Sequence, residues 1–510
     1  MSEVPQNKSN SYEALRTELA EIDLLSSVTA LLSWDQEVMM PPSGTSLRAQ
    51  QSALLSQTVH ERRTSDNFRN LLERAEQDHA LTSDQEAAAN LREIRRGFDH
   101  AVKIPTSLVR EFAATTTHAQ HAWRDARANS DFTAFRPWLE KIVKLARARA
   151  ECLTTPETAD LYDPLLDEFE PGAKTAEIVE VFRDLRGRLT PLIRDIAGSS
   201  RRPNREVLSV TLPIPDQTAF NARIAGLVGF DFDAGRLDTS THPFCQSIGS
   251  GDTRLTTRYR VDGFFDALSS TLHETGHGLY EQGLPKDRYP GQPLAEAVSL
   301  GIHESQSRMW ENLVGRSRSF WTWALPEAKA AFGPALTDFD LETVYGAMNL
   351  VEPNLIRVDS DEATYNLHIM LRFDLERAML SGDLKVADLP GAWNERIKAD
   401  LGLDVPDDRR GCLQDVHWSM AAIGYFPTYT LGNLYAAQFW DKIREDIPQL
   451  DALIAGGEFK ELLAWLRREI HVRGRRLTAP ELCRTLTGKP LSALPFMSYL
   501  EGKLRPLYAL

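Results

Sequence analysis

Cysteine is scarce and scattered in this chain. Four occur in 510 residues, Cys152, Cys245, Cys412 and Cys483, and no two form a C-x-x-C pair. That spacing excludes a disulfide framework and a cysteine-built zinc site, and it suits a reducing compartment. Long apolar runs are also missing. No stretch approaches the ~18 residues needed to cross a bilayer, and the polar opening MSEVPQNKSNSYEALRTELAE has no apolar segment of the kind a leader needs. There is no basic excess either: 58 Lys and Arg stand against 72 Asp and Glu, a formal charge of −14. This argues against a nucleic-acid-binding face but leaves room for a local basic pocket for an anionic substrate end. Nothing marks a linker, since there is no Gly/Ser tract, Pro-rich run, charge block or fixed-period repeat. The expectation is a cytoplasmic protein that binds neither nucleic acid nor membrane.

What is present is one short motif. His273-Glu274-Thr275-Gly276-His277 reads H-E-x-x-H. On a helix, residues four apart lie one above the other, so both imidazoles can reach one metal ion, and Glu274 between them can act as base on an attacking water. Apolar residues at 264/265, 268, 272 and 279 recur at helical spacing around the motif, and Gly283 with Pro285 ends the segment. The alternative is a buried helix whose histidines are satisfied by carboxylates.

Helical periodicity fills most of the chain. It predicts helices over 12–33, 45–62, 66–78, 83–99, 106–130, 132–152 and 174–197, then over 293–314, 319–331, 341–350, 360–380, 386–401, 431–446, 457–472 and 479–487, after a disordered start over 1–10. Trp and Phe in these helices read as core. The β-branched segments 206–212, 236–245 and 253–259 are strand candidates, the last two joined by the turn-rich Ile248-Gly249-Ser250-Gly251-Asp252. The expected fold is mainly α: one large helical domain over 1–510, with a helical sub-lobe (1–200), a metal-site sub-lobe (201–510) and a small antiparallel β-sheet beside the metal helix. That sheet could hold an extended substrate or serve structure alone.

Two histidines leave a catalytic zinc one protein ligand short, with a further position open for water. The downstream acids are Glu281, Glu296, Glu304 and Glu311. Glu281 sits one turn beyond His277, about 6 Å along the axis, and suits an orienting role. Glu304 follows a chain-turning break, 304 − 277 = 27 residues on, in a helix that can return across the first. Glu296 is its alternative, and a surface salt bridge is the plain reading. His303, adjacent to Glu304, points about 100° away and reads as an outer partner of a carboxylate or as a packed histidine.

Several segments in order resemble the Taq-type (thermostable) metallocarboxypeptidases. They are His242-Pro243-Phe244, Asp252-Thr253-Arg254-Leu255-Thr256, the 273–277 motif, His303-Glu304-Ser305-Gln306, Ile356-Arg357-Val358-Asp359-Ser360-Asp361 and Gly424-Tyr425-Phe426-Pro427-Thr428-Tyr429, with Trp34-Asp35 and Met40-Pro41 near the start. Ser360 stands where the family usually has Ala or Gly. The resemblance implies a mostly helical fold with a long substrate groove and a divalent metal, zinc or a cobalt substitute. It also implies release of single residues from peptides with a free C-terminus, and a homodimer. Carried over, it makes His273, His277 and Glu304 the metal ligands, Glu274 the base and Arg357 the group that binds the substrate carboxylate. Arg254, His242 and Tyr429 become substrate-side residues. Arg357 could instead pair with Asp359, Asp361 or Glu362 for structure alone, and Arg254 could face solvent. The rival activity is a zinc oligopeptidase or aminopeptidase built on the same core.

Overall fold

Apolar residues at every third or fourth position become buried helix faces along nearly the whole chain. The computed structural model describes the backbone from Gln6 and the side chains from Ser11, through to Leu510. The helix Phe132–Leu153 shows the rule: Phe132, Phe135, Leu139, Ile142, Ala146 and Ala150 recur at helical spacing and are all buried. One continuous core runs from Ala119 to Tyr508, and a smaller one joins Leu15, Leu19 and Ile22 to Phe68, Leu72 and Phe98. Among the described residues no helix is long and apolar enough to cross a membrane.

Five helices matter most for the site: α1 (Gln6–Val38), α2 (Phe264–Gly283), α3 (Leu300–Arg308), α4 (Tyr365–Ser381) and α5 (Pro427–Asp446). Helix α2 carries the H-E-x-x-H motif and buries Phe264, Phe265, Leu268, Leu272 and Leu279. Helix α3 starts where the Ser299 side chain accepts from the backbone N–H of Ile302, an N-cap that fixes its first turn. A π-helical stretch, Met309–Val314, continues it.

Three strands, β1 (Gly235–Thr239), β2 (Cys245–Gly249) and β3 (Asp252–Thr257), lie just before α2. The expected sheet is present, but it is mixed. β3 is central, antiparallel to β2 and parallel to β1, with Arg236 opposite Arg254. The tight 249–252 turn makes β2 and β3 a hairpin. Residues 240–244 carry the chain from one edge of the sheet to the other, so β1 must run alongside β3.

Other expectations need correction. Residues 206–212 form no strand. Glu206–Ser209 is a 3₁₀ turn, Val207 and Leu212 drop into the core, and Pro213 leads straight into the helix Ile214–Val228. The helix expected from 293 begins at Leu300, preceded by a separate 3₁₀ turn at Pro293–Ala295. Helix α1 already includes Gln6–Asn10, so the disordered start fails there, and residues 1–5 lie outside the described residues. The helices Ile214–Val228 and Leu494–Tyr508 were not anticipated. Each carries Pro in its first turn, where the missing N–H costs no hydrogen bond.

Candidate metal centre and substrate cavity

Helix geometry supplies the first two donors. Nε2 of His273 and Nε2 of His277, both on α2, lie 3.7 and 3.5 Å from Oε2 of Glu304 on α3. The three donor atoms all fall within 4.8 Å of one another. Ligands about 2.0–2.2 Å from a tetrahedral zinc stand roughly 3.3–3.5 Å apart, so this set fits a divalent ion with only small adjustment.

Close helix approach makes the convergence possible. A Cβ at Gly276 would come 2.5 Å from the carbonyl oxygen of Gln306, so only glycine lets α2 meet α3 at that depth. A Cβ at Gly432 on α5 would come 2.5 Å from Cγ of Glu304. The Gly in the motif therefore answers a packing demand separate from the chemistry of its neighbours.

Outer partners set each ring. Nδ1 of His273 lies 2.9 Å from the Glu311 carboxylate, to which it donates, leaving Nε2 with a lone pair for a cation. Nδ1 of His277 contacts Nδ1 of His303 at 2.5 Å, and Nε2 of His303 lies 2.8 Å from Glu281. With His277 and His303 each donating outward, His277 also keeps its Nε2 lone pair toward the centre. Glu281 in turn accepts from Lys286 at 2.6 Å. Glu304 is held by its second oxygen, which accepts from Arg308 at 2.7 Å. Arg308 reaches Glu311 as well and lies over the Tyr365 ring.

Protonation states suit cation binding. Burial, with His303 nearby, pushes His277 down to about 3, so its imidazole is neutral. Burial opposes ionisation of Glu304, but Arg308 and His273 overcome it and hold the carboxyl well below its usual range. Burial would also lower His273, yet Glu304 and Glu311 outweigh it and raise that group. The negative charge that favours a proton there would equally favour a metal ion.

Glu274 is buried, and its carboxylate makes no hydrogen bond to any described residue. Burial pushes its carboxyl up to about 7, with His273 pulling it down and Glu304 and Glu311 adding to the rise. It lines a cavity of about 680 Å³ together with His273, Arg308, Glu311, Arg357 and Tyr365.

Arg357 is buried on the wall of the same cavity. Its partner is none of the three nearby acids. Asp415 accepts from Nε at 2.9 Å and forms an ion pair with one terminal nitrogen 2.8 Å away, and the Tyr365 hydroxyl accepts from the other at 3.0 Å. A guanidinium has five N–H groups, so at least one remains uncommitted on each terminal nitrogen. Asp415 also receives the fully buried Arg372 at 2.6 Å, which places one carboxylate between two arginines. Tyr429 packs against this clamp, its ring centroid 5.4 Å from the Arg357 guanidinium and its hydroxyl 3.5 Å from Nε2 of His417.

Two expected substrate-side residues stand apart. Arg254 donates twice to Asp252, at 2.8 and 2.7 Å, and lies 4.3 Å over the Trp34 ring of α1. Neither it nor the exposed His242 lines the cavity, although Pro243 does. Glu296 pairs with Arg475 at the surface, away from the centre. Asp415 and His417 were missed by sequence reading. A buried arginine requires an acid, but nothing local shows that it comes from 58 residues downstream.

The chain also matches known proteins over nearly its full length. The family profile described as Carboxypeptidase Taq (M32) metallopeptidase matches residues 14–504. Thermostable carboxypeptidase 1 of Thermus thermophilus is 43% identical over 506 residues, covering 98% of this chain and 99% of that protein. Carboxypeptidase 1 of Bacillus subtilis is 35% identical over 493 residues, covering 96% and 97%. The crystal structure of an M32 carboxypeptidase from Deinococcus radiodurans superposes with a TM-score of 0.95 at 39% identity, covering 98% of this chain and all of that one. These matches favour carboxypeptidase action over the oligopeptidase or aminopeptidase alternative. The converging histidines and glutamate, the cavity beside them and these relatives lead to one assignment: the chain belongs to the Carboxypeptidase Taq (M32) metallopeptidase family and is a metallocarboxypeptidase.

Proposed function

We propose that the protein is a zinc-dependent carboxypeptidase, able to use cobalt in place of zinc, which removes single residues from peptides with a free C-terminus. One observation carries this reading: an unpartnered carboxylate, Glu274, and a guanidinium with two uncommitted N–H groups, Arg357, line the same cavity as His273. His273, His277 and Glu304 would hold the ion, which when bound lowers the pKa of water towards about 7 and polarises the scissile carbonyl. Arg357 offers its free N–H pair to the terminal carboxylate as a planar fork. Asp415 keeps that fork oriented. Glu274 accepts the proton of the attacking water and passes it to the leaving amine. Tyr429 bounds the carboxylate clamp.

A cytoplasmic location and a homodimer belong to the same proposal. Four free cysteines support the first, and the family resemblance supports the second. The activity is tested by digesting one peptide in free and C-amidated forms and reading the products by mass spectrometry. Loss of one residue from the free form alone is expected. Equal cleavage of both forms would overturn the reading.

A further inference from the structure

Two buried carboxylates away from the metal centre are held by hydrogen bonds and not by an ion pair. Glu170 and Glu376 are both 0% exposed, and neither forms an ion pair with a described residue. Buried carboxylates without an ion pair are expensive, and apolar side chains would be cheaper if packing were the only need. Their hydrogen bonds indicate what they do instead.

Glu170 accepts from the Ser299 hydroxyl at 2.9 Å and from the backbone N–H of Gly301 at 2.8 Å. Both belong to the start of α3, the helix that bears Glu304. The carbonyl of Phe169 accepts from the Leu300 N–H at 2.9 Å, so the same loop grips the helix by backbone as well. Glu376, on α4, accepts from the Tyr162 hydroxyl at 2.6 Å, from Nε1 of Trp418 at 2.8 Å and from the Gly424 N–H at 3.1 Å. Trp418 lies three residues after Asp415, the partner of Arg357. Phe169 packs edge-on against Tyr425, centroids 5.2 Å apart, closing the loop against the start of α5. Burial pushes both carboxyls up to about 7 against these donors.

We propose that segment 162–172 is a positioning strap: Glu170 sets the helix that aims Glu304 at the metal, and Tyr162, through Glu376, sets the turn that aims Asp415 at Arg357. This rests on the reading of Glu304 as a ligand and Arg357 as the carboxylate anchor. The residues are positioning residues and touch no substrate. Displacement of a ligand or anchor by about 1 Å can cost 10²-fold, so small shifts matter.

The two ends of the strap predict separable effects. Glu170→Gln should weaken zinc binding by about 10–100-fold in competition with a fluorescent chelator, while KM for a free-carboxylate peptide at saturating zinc stays unchanged. Glu376→Gln, whose amide must turn a donor toward Trp418 or toward Tyr162 and Gly424, should raise that KM about 10-fold with zinc affinity unchanged. Ser299→Ala and Tyr162→Phe carry the same two readouts, in the same directions, if the glutamine variants do not fold. Glu304→Ala and Arg357→Ala are measured alongside. If these move zinc affinity and KM while the strap variants move neither, or move both together, the strap is overturned. If Glu304→Ala keeps its zinc affinity, or Arg357→Ala its KM, the underlying reading fails instead.

Discussion

Nδ1 of His303 lies 2.5 Å from Nδ1 of His277, and the far nitrogen of His303 meets Glu281. One imidazole thus orients another, and a carboxylate held by Lys286 orients both. Outer partners of metal ligands are worth about 10–100-fold in affinity. His303→Ala and Glu281→Gln should each weaken zinc binding by that order in a chelator competition, with fold content by circular dichroism unchanged. Undiminished affinity in both would make this chain a packing feature.

Glu274→Gln keeps shape and burial but removes the carboxylate proposed to accept the proton. Turnover should fall by at least about 10²–10⁴-fold, the usual contribution of a positioned base. Full activity in this variant would show that another group takes the proton.

Arg357→Ala removes both free N–H groups and leaves Asp415 paired with Arg372 alone. Hydrogen bonds to charged groups are worth about 1.5–3 kcal/mol, so kcat/KM on free-carboxylate peptides should drop about 10–100-fold. Residual cleavage of amidated peptides should not fall with it. An equal loss on both substrates would assign Arg357 to structure.

Burial raises the Glu376 carboxyl from about 4.5 to about 7. A folded-state pKa above the unfolded one means that the native state binds the proton more tightly. The stability this brings is complete below about 4.5 and is lost as pH rises through about 7. Thermal unfolding of the metal-free protein should therefore show a fall in midpoint between about pH 5 and pH 8 that is shallower in Glu376→Gln, whose amide does not titrate. Parallel curves for the two proteins would show that Glu376 does not contribute.

The parts of the site legible in sequence are those made by local geometry. His273, Glu274 and His277 share two turns of one helix, so spacing alone brings them together. Glu304 could be reached because a break followed by a helix implies a return across α2. Arg357 could be singled out as a buried cation, but not its partner, because Asp415 meets it only through tertiary packing. The acids nearest in sequence were the wrong candidates: Asp361 is spent on the backbone N–H groups of Glu352, Ala363 and Thr364. Strand direction was likewise hidden. Alternating residues mark a strand, but which neighbour it pairs with depends on where the third strand inserts, and β3 took the centre. Segment 206–212 has the composition of a strand, yet Glu206–Ser209 closes into a 3₁₀ turn with Val207 buried in the core, a tertiary outcome that composition does not show.

The most direct test of the central claim is metal content measured beside turnover in two variants. Glu304→Ala should lose both bound zinc and hydrolysis, whereas Glu274→Gln should retain one zinc per chain and lose only hydrolysis. Full zinc occupancy with normal hydrolysis in Glu304→Ala would contradict the assignment of His273, His277 and Glu304 as the metal centre.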